Sequence, residues 1–251
     1  MLLGVNVDHV ATLRNARGGK DPNVLEAAKI CENCNASSIT THLREDRRHI
    51  KDEDVEQIKE NIKINLNLEM AVTDEMQVIA LRIKPHSVCL VPEKRQEVTT
   101  EGGLDVAGQL EKITNFVKPL KDAGIEVSLF IDPTEEQVKA SAKTGAQFIE
   151  MHTGAYSNAY GTENEEVEFL KLKNSAKLAQ ELGLRVNAGH GLNYENVKRM
   201  HEIEGLYELN IGHSIIAKAV FTGLDNAVDE MNFLVSNKEN ILTKWLKKKV
   251  F

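Results

Sequence analysis

Several things are missing from this chain. No apolar run approaches the roughly 18 residues that a membrane-spanning helix needs. The opening Met1-Leu2-Leu3-Gly4-Val5 meets a charge at Asp8, so no secretory h-region fits, and the chain reads as cytoplasmic. There is no Gly-rich dinucleotide fingerprint and no Walker loop. Charge of neither sign dominates: the net charge is −7, which gives no general attraction for nucleic acid. The basic Lys244-Trp245-Leu246-Lys247-Lys248-Lys249 reads as the solvated end of a last helix rather than an RNA or membrane patch. Cysteine is scarce, at 3 residues. Cys31 and Cys34 have the C-x-x-C spacing of a redox couple or half a metal site, but no second pair or histidine stands near them. They read as one face of a helix, and Cys89 reads as core.

What is present is an alternation. Eight short apolar runs start near Gly4, Ser38, Ile64, Val88, Val127, Phe148, Val186 and Leu209. Between them lie amphipathic segments of helical length: 24–34, 52–62, 74–83, 104–122, 135–143, 164–182, 193–203 and 214–221. Pro133 and the acids Asp74-Glu75 mark helix starts, and Gly124 and Gly183 mark left-handed caps. Pro119 suggests that 104–122 is two helices. The runs are rich in Val, Ile and Leu, as strands buried on both faces are. Strand then helix, eight times, in 251 residues predicts a (β/α)₈ TIM barrel, a single domain over 1–251 with extra helix after 224. A doubly wound sheet is the alternative. The polar, glycine-bearing stretch 93–104 is long for a βα connection and reads as a mobile flap.

Nearly every run ends on a residue that moves a proton or holds an anion. In a parallel α/β fold those residues gather at one end of the sheet, where such folds place their sites. Arg14 and Arg17 follow strand one, Arg44, Arg47, Arg48 and His49 strand two, and Lys94 and Arg95 strand four. Guanidinium groups match phosphate oxygens in bidentate geometry, so these cations point to an anionic ligand. The competing reading is a salt-bridged surface, with Glu45 and Asp46 as partners. Gly189-His190-Gly191 and Gly212-His213-Ser214 end strands seven and eight, where barrel enzymes commonly bind phosphate.

Five of the 8 histidines, His9, His42, His152, His190 and His213, fall at strand ends, as do Glu69 and Glu150. Such groups suit general acid–base work. Asp8-His9 stands where a barrel metallohydrolase has His-x-His, and adjacent residues on a strand face opposite ways, so no catalytic metal is expected. No run ends on lysine, which disfavours an enzyme Schiff base. The residues alone describe a metal-free barrel enzyme acting on phosphorylated carbonyl compounds.

Longer motifs are more specific. Asn6-Val7-Asp8-His9-Val10-Ala11-Thr12-Leu13-Arg14-Asn15-Ala16-Arg17-Gly18 resembles the opening of the pyridoxine 5′-phosphate synthase family. So do His42-Leu43-Arg44-Glu45-Asp46-Arg47-Arg48-His49, Asn67-Leu68-Glu69-Met70-Ala71, 91–103, Asn187-Ala188-Gly189-His190-Gly191 and Asn210-Ile211-Gly212-His213. The resemblance implies condensation of 1-deoxy-D-xylulose 5-phosphate with 3-amino-2-oxopropyl phosphate. The products are pyridoxine 5′-phosphate, phosphate and water, with no metal or organic cofactor, in a homo-octamer. It implies that Asp8, His9, Arg44, His49 and Thr99 hold the deoxyxylulose phosphate. Asn6, Arg17, Gly191, Gly212 and His213 would hold the amino ketone. His42 and Glu69 would act as bases, His190 as proton donor, and Glu150 would stabilise a transition state. Asp132 and His152 receive no role. Two other functions fit the residues: a different metal-free isomerase or aldolase on sugar phosphates, and a phosphate-binding barrel without catalysis.

Overall fold

The computed structural model describes residues 1–93 and 102–236. Lys94, Arg95, Thr99, most of the flap and the basic cluster near the C-terminus lie outside the described residues.

The eight strands are β1 (Leu2–Asn6), β2 (Ser38–His42), β3 (Asn65–Met70), β4 (Ser87–Leu90), β5 (Glu126–Ile131), β6 (Phe148–His152), β7 (Arg185–Gly189) and β8 (Leu206–Ile211). They pair in parallel in chain order, and β8 pairs with β1 (Leu3 opposite Leu209), so the sheet closes into a barrel. The helices are α1 (Asp8–Arg17), α2 (Val24–Asn33), α3 (Asp52–Asn61), α4 (Asp74–Ile83), α5 (Leu110–Asp122), α6 (Glu135–Ser141), α7 (Gly154–Ala159), α8 (Glu165–Glu181), α9 (His213–Thr222) and α10 (Leu224–Ser236). A 3₁₀ helix over Asn196–Glu202 fills the place after β7. The TIM barrel expected from the alternation is the fold observed.

The sequence suggests strands apolar on both faces, and here the structure differs. Alternate residues have different surroundings: Ile39 and Thr41 of β2, Leu66, Leu68 and Met70 of β3, and Ile149 and Met151 of β6 are buried among the outer residues. The intervening Ser38, Thr40, Asn67, Ser87, Glu150, Glu208 and Asn210 meet one another inside the barrel. The two-residue period of a strand puts one set under the helices and the other on the barrel axis. Burying these interior hydroxyl, amide and carboxyl groups is tolerated because the residues named find partners in one another. Thr40 Oγ1 donates to Asn210 Oδ1 (3.0 Å), and Ser38 Oγ to Glu208 Oε1 (3.0 Å).

Two helices went unpredicted. α1 begins where a loop was expected, so Asp8 and His9 form its first turn and do not face opposite ways on a strand. Its signals are ordinary: an acid in the first turn, arginines in the last, and Gly18 in the left-handed conformation behind it. The short α7 follows β6. The 104–122 segment contains one helix, α5, which runs through Pro119; its buried Ile113, Phe116, Val117 and Leu120 hold it to the barrel. Residues before it bond outward instead, with Leu104 N donating to Phe130 O (2.7 Å) and Val106 N to Gln137 Oε1 (2.8 Å). α10, the extra helix expected after 224, packs on β1, α2 and α9. Its buried Asn232 donates to the Cys34 and Asn35 carbonyls (3.0 and 2.9 Å).

Candidate active site

The carboxyl ends of the strands open into a cavity of about 750 Å³. β1 delivers Asn6, and the first turn of α1 adds Asp8 and His9. Asp8 is buried with both carboxylate oxygens engaged: Oδ2 accepts from Asn6 Nδ2 (2.8 Å) and Oδ1 from the backbone N–H of His42 (2.9 Å). It therefore ties the ends of β1 and β2 together beneath the cavity. β2 and its loop supply His42, Arg44, Arg48 and His49. Asp46 accepts from both Arg44 (Nε, 3.3 Å) and Arg48 (Nη2, 2.7 Å). These bonds, above all that from Arg48, hold the Asp46 carboxyl far below the usual range against the effect of its partial burial.

The expected arginines separate into two groups. Arg44 and Arg48 line the cavity. Arg14 instead is buried in a bidentate pair with Asp54 (2.6 and 2.9 Å) and donates to His49 O (3.1 Å). Arg47 pairs with Asp52 and Glu75 on the surface. Arg14 and Arg47 follow the salt-bridge reading alone, whereas Arg44 and Arg48 pair with Asp46 and also line the cavity. Arg17 is exposed at the last residue of α1 and does not line the cavity.

The floor carries His42, Glu69 and Glu93. His42 Nε2 lies 2.8 Å from Glu93 Oε1, and its Nδ1 lies 3.9 Å from Glu69 Oε2. Burial works to raise the Glu93 carboxyl, but the His42 hydrogen bond and charge, the Glu45 N–H and Arg44 outweigh it and hold Glu93 below its usual range. A charged Glu93 accepts from His42 Nε2–H, which turns Nδ1 toward Glu69. Burial, reinforced by Glu150 and Asp8, pushes the Glu69 carboxyl well above its usual range.

Glu150 lies deeper than the sequence suggested. It is the third residue of β6, not a strand end, and is 2% exposed. Burial pushes it up to about 7, against the hydrogen bond that Asn210 Nδ2 donates to its Oε2 (2.6 Å). Gly189 beside it is sterically required: a Cβ there would lie 2.5 Å from Glu150 Oε1.

The opposite rim is formed by His190, Gly191, Gly212, His213 and Ser214. α9 starts at His213, so its free N–H groups face the cavity mouth, an arrangement suited to an anion. His213 and His9 rings meet edge-on at 5.1 Å. Burial lowers His9, opposed by Asp8 and helped by His213. Burial likewise lowers His49 and, with His152 and His9, takes His190 down to about 4.

Of the residues singled out in the sequence, the cavity thus collects Asn6, Asp8, His9, His42, Arg44, His49, Glu69, Glu150, His190, Gly191, Gly212 and His213. Thr99 lies outside the described residues. Glu93 follows the fourth apolar run but received no site role; its place in a Val-Pro-Glu-Lys-Arg string read as flap did not show that it would reach His42. Among the described residues no three His, Cys, Asp or Glu side chains are grouped as a metal site requires. Cys31 and Cys34 are buried thiols, with Cys34 Sγ donating to the Asp225 carbonyl (3.6 Å), and burial pushes Cys31 up to about 12.

The family model for the pyridoxal phosphate biosynthesis protein PdxJ matches residues 3–237. The chain belongs to this family. Relatives within it include the pyridoxine 5′-phosphate synthase of Photobacterium profundum, 58% identical over 92% of this chain and 95% of that protein. That of Geotalea uraniireducens is 56% identical over 93% and 98%. Outside the family the likeness is of fold alone. KGPDC from Streptococcus mutans superposes with a TM-score of 0.65 at 13% identity, over 94% of this chain and 97% of that one. N-(5′-phosphoribosyl)anthranilate isomerase from Pyrococcus furiosus gives 0.62 at 16%, over 95% and 100%.

Proposed function

We propose that this PdxJ-family chain is a pyridoxine 5′-phosphate synthase that condenses 1-deoxy-D-xylulose 5-phosphate with 3-amino-2-oxopropyl phosphate. The observation that carries the reading is the order of groups across one cavity: two rims suited to anions, with carboxyl and imidazole groups between them. Arg44 and His49 hold the deoxyxylulose phosphate against Asp8 and His9, with Thr99 as a further contact. The N-terminus of α9, with Gly191, Gly212, His213 and Asn6, holds the amino ketone and its phosphate. Arg17 retains the same assignment from family resemblance, but it is exposed and away from the cavity wall.

The amine of one substrate attacks the ketone of the other, so the Schiff base joins the two substrates and needs no enzyme lysine. Proton removal, loss of phosphate and loss of water then lead to the ring. His42 takes protons through Nδ1, and Glu69, raised by burial, is a stronger base than an exposed carboxylate. Glu150 stabilises the transition state from below. His190 donates a proton; a substrate phosphate beside it raises its affinity for that proton. The assembly is a homo-octamer by the same resemblance, and the exposed Val220 and Phe221 on α9 (70% and 89% exposed) supply apolar area for contacts between copies. The location is the cytoplasm.

The test is direct. Purified protein is mixed with both substrates, and pyridoxine 5′-phosphate is sought by absorbance and mass. Its formation supports the reading. A different product from either substrate alone points to an isomerase or aldolase, and binding without turnover to a phosphate-binding barrel.

A further inference from the structure

Behind the rim that carries His190 lies a pair that the proposed mechanism does not use. Asp132, just past the end of β5, faces His152, the last residue of β6, with Oδ1 to Nδ1 at 3.1 Å. The Asp132 carboxylate is half exposed, and it also accepts the backbone N–H of Gly103. The His152 ring is 8% exposed, and its Nε2 is buried without a hydrogen-bond partner. Beyond it stands the His190 ring, with centroids 5.0 Å apart and planes at 65°. The gap between the two rings is kept open by Gly154, where a Cβ would lie 2.6 Å from His152 Nε2 and 3.3 Å from His190 Cδ2. His190 itself sits at φ +80, with its carbonyl accepting from Thr153 Oγ1 (2.5 Å).

We propose that Asp132 and His152 form a positioning pair for His190, in which Asp132 fixes the His152 proton on Nδ1 and His152 Nε2 serves as acceptor for the His190 ring. The physical argument starts from the orphaned nitrogen. A buried imidazole nitrogen without a partner costs free energy unless a partner arrives. With Nδ1–H donated to a carboxylate, Nε2 is a lone pair, and the nearest polar ring is His190. A protonated His152 would instead repel a protonated His190, so the pair helps only while His152 stays neutral. The Asp132 charge then favours the imidazolium form of His190 through the intervening ring. Burial, His152 and His9 take His190 down to about 4, so a proton donor here needs that support. The charged and titratable groups facing His190 are His152 with Asp132 behind it, His9 with Asp8 and His213 behind it, and Glu150 across the cavity.

The role of His190 as donor rests on the proposed function; the coupling does not, and the experiment separates them. Histidine ring carbons are isotopically labelled in the full chain, the His190 signal is assigned with His190→Gln, and its titration is followed by NMR. In Asp132→Asn the His190 midpoint falls by about half a unit or more. Asp132→Glu restores most of the shift. In turnover, Asp132→Asn lowers kcat by roughly 10- to 100-fold with both KM values unchanged. The basic limb of its pH profile moves to lower pH, because a donor acts only while protonated. Asn is isosteric with the half-exposed Asp, so the variant folds, and thermal unfolding verifies it. An unchanged or raised His190 midpoint overturns the proposal, as does a kcat loss with an unmoved pH profile. Full turnover in His190→Gln removes the donor role, and the NMR midpoint still decides the coupling.

Discussion

At the residue scale the site sets two carboxyl groups against burial. Glu69 and Glu150 are both raised, and Glu150 reaches about 7. An acid whose native value is raised contributes stability that is full below its unfolded value and is lost as pH rises through the native value. For Glu150 the window runs from its ordinary 4.5 up to about 7. Glu150→Gln, which cannot ionise, is therefore expected to be more stable than the parent at pH 8 by about 1–3 kcal/mol. At pH 4 it has no such advantage. Denaturant titrations at the two pH values measure the difference, and turnover falls in the same variant. His42→Ala and Glu69→Gln are each expected to lose roughly 10²–10⁴-fold in kcat with the fold retained. Activity like the parent's removes the residue from the mechanism. Arg44→Ala is expected to raise the KM for the deoxyxylulose phosphate, and steady-state kinetics with that substrate varied measures it.

At the element scale α1 carries more than its two cavity residues. Its Arg14 grips Asp54 at the start of α3, and Arg14 and Asn15 donate to the His49 carbonyl (3.1 and 2.8 Å). This clamp sets the loop that presents Arg48 and His49. Asp54→Ala leaves a buried guanidinium without its partner and is expected to cost about 3–5 kcal/mol in chemical denaturation. Arg14 shows what a sequence can and cannot reveal. Its position after β1 and its charge were plain, but its partner lies 40 residues away, and charge alone does not separate a ligand-binding arginine from a clamp. The eight strands were legible because apolar runs recur at even spacing. His42, Glu69 and His190 were legible because they follow such runs. The polar barrel interior was not read, although Ser38-x-Thr40-x-His42 and Asn65-x-Asn67-x-Glu69 carry the two-residue period, since the apolar residues between them dominate the pattern. Glu93 and the Asp132–His152 pair escaped because each acts through a residue on another strand.

At the scale of the whole molecule α10 closes the circuit. It follows β8, yet it packs on β1 and α2, and Asn232 is its polar tie to the turn before β2. Asn232→Ala strands two backbone carbonyls and is expected to cost about 1–3 kcal/mol. Thermal unfolding then shifts downward by about 2–4 °C per kcal/mol for a chain of this size.

The barrel axis, filled with hydroxyls, amides and carboxyls, also bears on how stability varies with temperature. Exposing apolar surface on unfolding raises the heat capacity, while exposing polar surface lowers it. An interior such as Ser38, Thr40, Asn67, Ser87 and Asn210 therefore subtracts from the increment that a hydrocarbon-filled barrel of equal size would show. Calorimetry is expected to find less than the ordinary value of roughly 12–15 cal/mol/K per residue. A flatter stability curve is the expected consequence, with cooling weakening the chain less than it would an oil-filled barrel.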